Sequence, residues 1–255
     1  MIPLFNGAKL KVKRADQHIS ELQQFISEFL KTDFCRIFIE VDPNDGNQIL
    51  KFQSIRDMPH ELPLVIGDVI HNLRSALDLM TCEIVTMAGE SVDRNIEFLV
   101  RDDRDKLITA INDRKIKAAP KSIIDLIVDT IKPYKGGNDA LCALHDLDIL
   151  DKHKLLIPVA SVNALMGAVV EDDSHNVFNF GRIMVGPSGK LNLVKTASKM
   201  KITKPGQPAF ALLFDKGYPF EGQPVIPTLH QLSQLVSGIL QTIEKAYLTL
   251  GKDAI

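Results

Sequence analysis

The sequence predicts an α+β protein: a mainly antiparallel sheet covered by a helical layer, with a long C-terminal helix. Three observations carry that expectation. Apolar residues recur at three-four spacing in long segments near the start, in the middle and at the end of the chain. Residues 35–55 switch to alternation around a turn-forming centre. Residues 155–216 then carry successive strand signals, without the β-α-β-α order of a doubly wound parallel sheet. No linker separates the helical from the β-rich part. Residues 1–255 are therefore expected to form one domain, helix-rich over 1–154 and β-rich over 155–216, with the last helix over about 226–250.

Along the chain, Ala15, Ile19, Leu22, Phe25, Ile26, Phe29 and Leu30 share one face of a helix over residues 7–31, with Asn6 as its N-cap. Cys35, Ile37, Ile39 and Val41 alternate with Phe34, Arg36, Phe38 and Glu40. Residues 43–47, Pro-Asn-Asp-Gly-Asn, are turn chemistry, and 49–55 return as the second strand of a hairpin. A helix over 63–86 starts on Pro63 and stops at Gly89, with Ile66, Val69, Ile70, Leu73, Leu77, Met80 and Ile84 as its core stripe. Residues 96–100 read as a short buried strand or extended segment. Helices follow over 103–112, 121–131 and 138–150, with Pro133 and Gly136-Gly137 between the last two. Strands fit 159–170, 177–185, 191–194 and 209–214, with a hairpin turn at 187–189 and a Gly/Pro-rich loop at 217–227. The closing helix carries Leu229, Leu232, Leu235, Val236, Ile239, Leu240, Ile243, Tyr247 and Leu250, and Gly251 is expected to cap it.

Composition narrows the function classes. Hydrophobic residues are 45% and charged residues 24%, which speaks against long disorder. With 30 basic against 32 acidic residues, net charge -2, nothing draws the whole chain toward nucleic acid or anionic lipid, although a local patch remains open. Cys35, Cys82 and Cys142 lie far apart with no Cys-x-x-Cys, so they read as small buried hydrophobes in a reducing compartment. The start, MIPLFNGAKLKVKR, lacks the pattern of a secretion signal, and no apolar run approaches the roughly 20 residues of a membrane span. The expected setting is soluble and cytoplasmic, with no membrane partner. Trp is absent and aromatics are 6%, which leaves few side chains on which bases could stack.

The motifs of Walker phosphate loops, Rossmann folds, α/β-hydrolases and zincins are all absent, and no cofactor is specified. What remains is a pair of polar helix stripes. His71, Arg74 and Asp78 stand at i, i+3 and i+7 beside the core stripe, with Gly67 one turn earlier. His145, Asp148 and Lys152 repeat that spacing, flanked by Asp151 and His153. Ions beside a core stripe are expensive unless paired. The two stripes are therefore expected to face each other, with Arg74 able to meet Asp148 and Asp78 able to meet Lys152.

Three readings of such a cluster stay open. It can be a charge network that only fixes helix register, in a non-catalytic structural or interaction protein. It can be a site that binds or hydrolyses an anionic ligand, a small molecule or RNA. Catalytic candidates are then His71, Arg74, Asp78, Asp151 and His153, and ligand-binding candidates are Arg74, His145, Asp148 and Lys152. It can be a metal site on His71 and His145 with neighbouring Asp residues, although no spacing specifies one. Elsewhere, His18 and His230 read as surface or core-edge residues. Glu171-Asp172-Asp173 with His175 reads as a solvated turn, and the four lysines of 195–204 as a charged edge strand.

The segment Gly67-Asp68-Val69-Ile70-His71-Asn72-Leu73-Arg74-Ser75-Ala76-Leu77-Asp78 resembles an HNLRSALDHL segment of uncharacterised bacterial and phage proteins. Ile131-Lys132-Pro133-Tyr134 and the stretch 147–154, similar to their DKHR-like segment, extend the resemblance over about 62–156. It implies that the two stripes are one feature, and brings no established activity. HEPN-type ribonucleases carry an Arg followed four to six residues later by a His on a helix. This chain has Leu79 at the matching place after Arg74, and its β-rich second half does not suit an all-helical domain.

Overall fold

In the computed structural model, residues 3–56, 59, 61–154, 159–185 and 189–252 are described. The protein is α+β, its sheets are antiparallel, and it ends in a long helix. Two compact units form. One gathers 1–21, 63–157 and 226–255; the other gathers 22–62 and 158–225. Each is assembled from segments distant in sequence.

The helical unit holds the first turns of α1 (Asn6–Leu30), nearly all of α2 (Glu61–Met87), α3 (Arg104–Asn112), α4 (Lys121–Asp125), α5 (Asp139–Lys154) and α6 (Val225–Lys252). Of these, α2 is the most enclosed. All seven residues of its expected stripe are buried, and so are Asn72, Arg74, Ala76, Thr81 and Val85 on its flanks. Its solvent side is a narrow strip through Asp68, His71 and Leu79. In α6, Leu229, Leu232, Val236, Ile239, Leu240 and Ile243 are buried as the periodicity predicts.

Several local expectations need correction. Phe25 lies off the buried stripe of α1, 41% exposed. Asn6 is already helical; Phe5 before it takes φ 56°, and its amide donates to Glu83 Oε2 at 2.8 Å. The helix expected over 121–131 changes period. After α4 the chain runs as a π-turn over Leu126–Ile131, ended by Lys132 at φ 55°, whose amide reaches back to Ile127 O at 2.9 Å. The closing helix starts at Val225, inside the expected loop, because Pro227 suits a first helical turn where no N–H is needed. Gly251 lies within that helix and does not cap it, a helical glycine costing only about 1 kcal/mol relative to Ala.

The β-rich unit holds β1 (Cys35–Val41), β2 (Gln48–Ser54), β3 (Val159–Asp172), β4 (Val177–Val185), β5 (Lys190–Thr196), β6 (Met200–Lys204) and β7 (Gln207–Phe214). They form two sheets, not one. The first has the order β1-β2-β5; in the second, β3 pairs with β4, β6 and β7. The hairpin expected over 35–55 is present, with Gly46 at φ 73° in its turn. β5 joins it, Gln48 opposite Thr196 and Gln53 opposite Lys190. Phe52 from the first sheet packs with Leu165, Ala168 and Ile183 of the second, and Leu50 with Val170 and Met200. Each sheet thus gives one apolar face to a shared core. The turn expected at 187–189 lies largely outside the described residues. Lys195 is held by Asp42 at 2.6 Å and Asp45 at 2.7 Å in the hairpin turn, and pulls both carboxyls below their usual range.

Candidate functional site

The two polar stripes meet inside the helical unit. Asn138 caps α5, its Oδ1 accepting from the Leu141 amide at 3.2 Å. That start places Leu141, Leu144, Leu147 and Asp148 on the buried face of α5. Asp148 is 2% exposed, and two cations or potential cations close on it. His71 Nδ1 lies 3.0 Å from its Oδ1, and Lys152 Nζ lies 2.5 Å from its Oδ2. The Asp148 carboxylate can only accept, so it selects the His71 tautomer that carries its proton on Nδ1 and leaves a lone pair on Nε2. The His71 side chain is 47% exposed, and Nε2 lies 3.4 Å from Ser75 Oγ one turn along α2.

Arg74 does something different. It is buried, 4% exposed, with all three guanidinium nitrogens engaged. Nε donates to His145 Nδ1 at 3.3 Å, Nη1 to the Asp78 carboxylate, and Nη2 to the carbonyl of Phe98 at 2.7 Å. Asp78 Oδ1 also accepts the Phe98 amide at 2.8 Å. Together the pair satisfies both backbone groups of Phe98 in the segment 96–100, which is extended and forms no strand. The far end of that segment bridges the Ile131-Lys132-Pro133-Tyr134 motif, Arg101 N donating to Pro133 O at 3.1 Å. The expected pairings Arg74–Asp148 and Asp78–Lys152 are therefore replaced. Arg74 pairs with Asp78 and His145, while Asp148 takes His71 and Lys152. Arg74 and Asp78 instead share the Phe98 peptide, one on its carbonyl and the other on its amide.

An arginine has no acceptor, so His145 presents a lone pair at Nδ1 and its proton at Nε2. Burial, and then the charge of Arg74, hold the His145 pKa below its usual value and keep the ring neutral. His145 also lines a cleft of about 180 Å³ with Val100, Arg101, Asp102, Lys135, Cys142 and Asp146, in which two cations face two carboxylates.

Asp151 sits against α2 where Gly67 leaves room. A β-carbon on Gly67 would stand 2.3 Å from Asp151 Oδ1. Burial, and then the neighbouring Asp148 charge, push the Asp151 carboxyl pKa up. His153 lies on α5, but its side chain falls outside the described residues. Among the described residues, no three His, Cys, Asp or Glu side chains stand together as a metal ion requires. Two participants were missed from the sequence. Ser75 was hidden among small helix residues, although its i+4 spacing from His71 is a usable signal. Phe98 acts through its backbone, which no side-chain pattern reports.

No family model, curated protein or solved structure matches this chain. Among the described residues no helix is long and apolar enough to cross a membrane.

Proposed function

We propose that this protein binds and hydrolyses an anionic ligand, RNA being one such ligand, with His71 as general base. The observation that carries the reading is the half-exposed His71 ring held by the buried Asp148 carboxylate. A buried acceptor that fixes the tautomer of a half-exposed ring, with the other ring nitrogen left to accept a proton, is the arrangement that proton abstraction needs. Lys152, 51% exposed, shares the same carboxylate and supplies a cation for a phosphate or carboxylate group. Asp148 orients; it does not itself reach solvent. In this reading Arg74 and Asp78 are framework. His71→Gln should lower hydrolysis by about 10²–10⁴-fold, and Lys152→Ala should weaken binding without unfolding the chain. The assay is cleavage of a short RNA and of bis(p-nitrophenyl) phosphate by the intact protein. Equal turnover by wild type and His71→Gln, or none by either, would remove the reading.

A second reading is favoured by Arg74. Each guanidinium nitrogen already has a partner within the fold. A network so fully satisfied can serve only to set α2 against α5 and the Phe98 segment, in a protein without catalysis. Retention of wild-type behaviour by His71→Gln in every binding and cleavage assay is the result expected from it.

A further inference from the structure

Resting on the reading of His71 as a base, we infer that Ser75 is a nucleophile and that Ser75, His71 and Asp148 form a serine-hydrolase relay acting on activated carboxylic esters. Three observations on two helices converge. Ser75 Oγ lies 3.4 Å from His71 Nε2. His71 Nδ1 lies 3.0 Å from Asp148 Oδ1. Asp148 is 2% exposed, and its other oxygen is occupied by Lys152. Helical i+4 spacing alone brings Ser75 to His71, and on its own would mean little. The orienting carboxylate comes from α5, so the third member is supplied by tertiary packing. Its bond to Nδ1 leaves on Nε2 the lone pair that a serine hydroxyl requires. The Ser–His separation is at the long end for a hydrogen bond, as such contacts often are before substrate tightens them.

The step balances within the relay. Ser75 Oγ forms a bond to the ester carbonyl carbon while its proton passes to His71 Nε2. The tetrahedral centre collapses, the C–O bond to the leaving alcohol breaks, and that alkoxide takes the proton from Nε2. Water then attacks the acyl-serine ester, giving its proton to Nε2, and the carboxylic acid leaves as Ser75 Oγ recovers the proton.

Two features set the substrate class. Ser75 is in the middle of α2, where backbone N–H groups are consumed by the helix's own ladder and cannot serve as an oxyanion hole. Esters with good leaving groups, such as aryl esters, need that stabilisation least. Leu79, 37% exposed one turn beyond Ser75, offers an apolar surface to the acyl chain, and Lys152 offers charge to an anionic substituent.

The test is labelling of the full-length protein by a fluorophosphonate, read by intact mass and peptide mapping. In this reaction Ser75 Oγ forms the bond to phosphorus, fluoride leaves, and the proton goes to His71. The expected result is one adduct on Ser75, none on Ser75→Ala, and labelling of His71→Gln slowed by at least about tenfold, with all three proteins melting as folded chains. An unlabelled wild type, equal labelling of Ser75→Ala, or an undiminished rate in His71→Gln overturns the inference. The broader reading fails separately. Phosphodiester cleavage that survives Ser75→Ala but not His71→Gln would overturn the nucleophile and leave His71 standing as a base. Loss of neither would remove both.

Discussion

Arg74 Nη2 donates to the carbonyl oxygen of Phe98 at 2.7 Å, while the amide of the same residue donates to Asp78, the partner of Arg74 one turn along α2. An ion pair on a helix here takes the place of a neighbouring strand. It gives a lone extended segment the donor and acceptor that a sheet would have provided.

Arg74→Ala should therefore destabilise the protein by about 1–3 kcal/mol, because it leaves the buried Phe98 carbonyl without its donor and takes the cation from the half-buried Asp78 carboxylate. Arg74→Lys should recover little, since an ammonium cannot bond Phe98 O, Asp78 and His145 at once. Urea denaturation of the two variants measures this. Wild-type stability for Arg74→Ala would mean that the Phe98 peptide has another source of satisfaction.

His145 makes stability depend on pH. Its folded pKa is depressed below the ordinary value of about 6.5 by burial and by Arg74. The unfolded chain thus takes up the proton first. The contribution of the neutral ring is present above the unfolded value and is lost as pH falls from there through the folded one. Denaturant midpoints should drop as pH falls below about 6.5. His145→Gln should flatten part of that drop, and an unchanged slope would locate the dependence elsewhere.

Gly67 and Asp151 form a tight contact with a definite sign. Gly67→Ala would bring a β-carbon 2.3 Å from Asp151 Oδ1, so the carboxylate must move. The expected loss is about 1–3 kcal/mol. The Asp151 carboxyl has a raised pKa, so its folded-state advantage exists at low pH and is lost as pH rises through the folded value. Asp151→Asn should therefore stabilise the protein at neutral pH. A double-mutant cycle of Gly67→Ala with Asp151→Ala should show strong coupling, since the shorter side chain vacates the space.

On α6, Ile239 is 5% exposed and Leu235 is half-buried. Ile239→Ala should cost about 2–5 kcal/mol, with a smaller loss for Leu235→Ala. Thermal unfolding ranks the pair. Equal, negligible shifts would contradict the packing of this helix face.

Limited proteolysis addresses the proposal that the chain is one cooperative domain. A cut near residue 155 should not release a stable helical fragment, because the helical unit also requires α6 from the end of the chain. Recovery of two independently folded parts after such a cut would refute it.

The sequence by itself determined what depends on periodicity. The stripe of Ile66, Val69, Ile70, Leu73, Leu77, Met80 and Ile84, the alternation of Cys35 to Val41 and the apolar face of α6 each follow from the geometry of a single element. So does the clustering of His71 with Arg74 and Asp78, and of His145 with Asp148 and Lys152, on their own helix faces. Tertiary structure alone decided which charge meets which. A shift of one helical turn, about 5.4 Å, between α2 and α5 would change which of these charges meet, and no pattern within either helix fixes that register. It also placed β5 beside β2, turned Leu126–Ile131 into a π-turn, and brought Asp148 behind His71 so that Ser75 faces an oriented imidazole. Local pattern reports which face of an element is polar. It does not report what stands opposite, because that depends on how segments far apart in the chain share one low-dielectric interior.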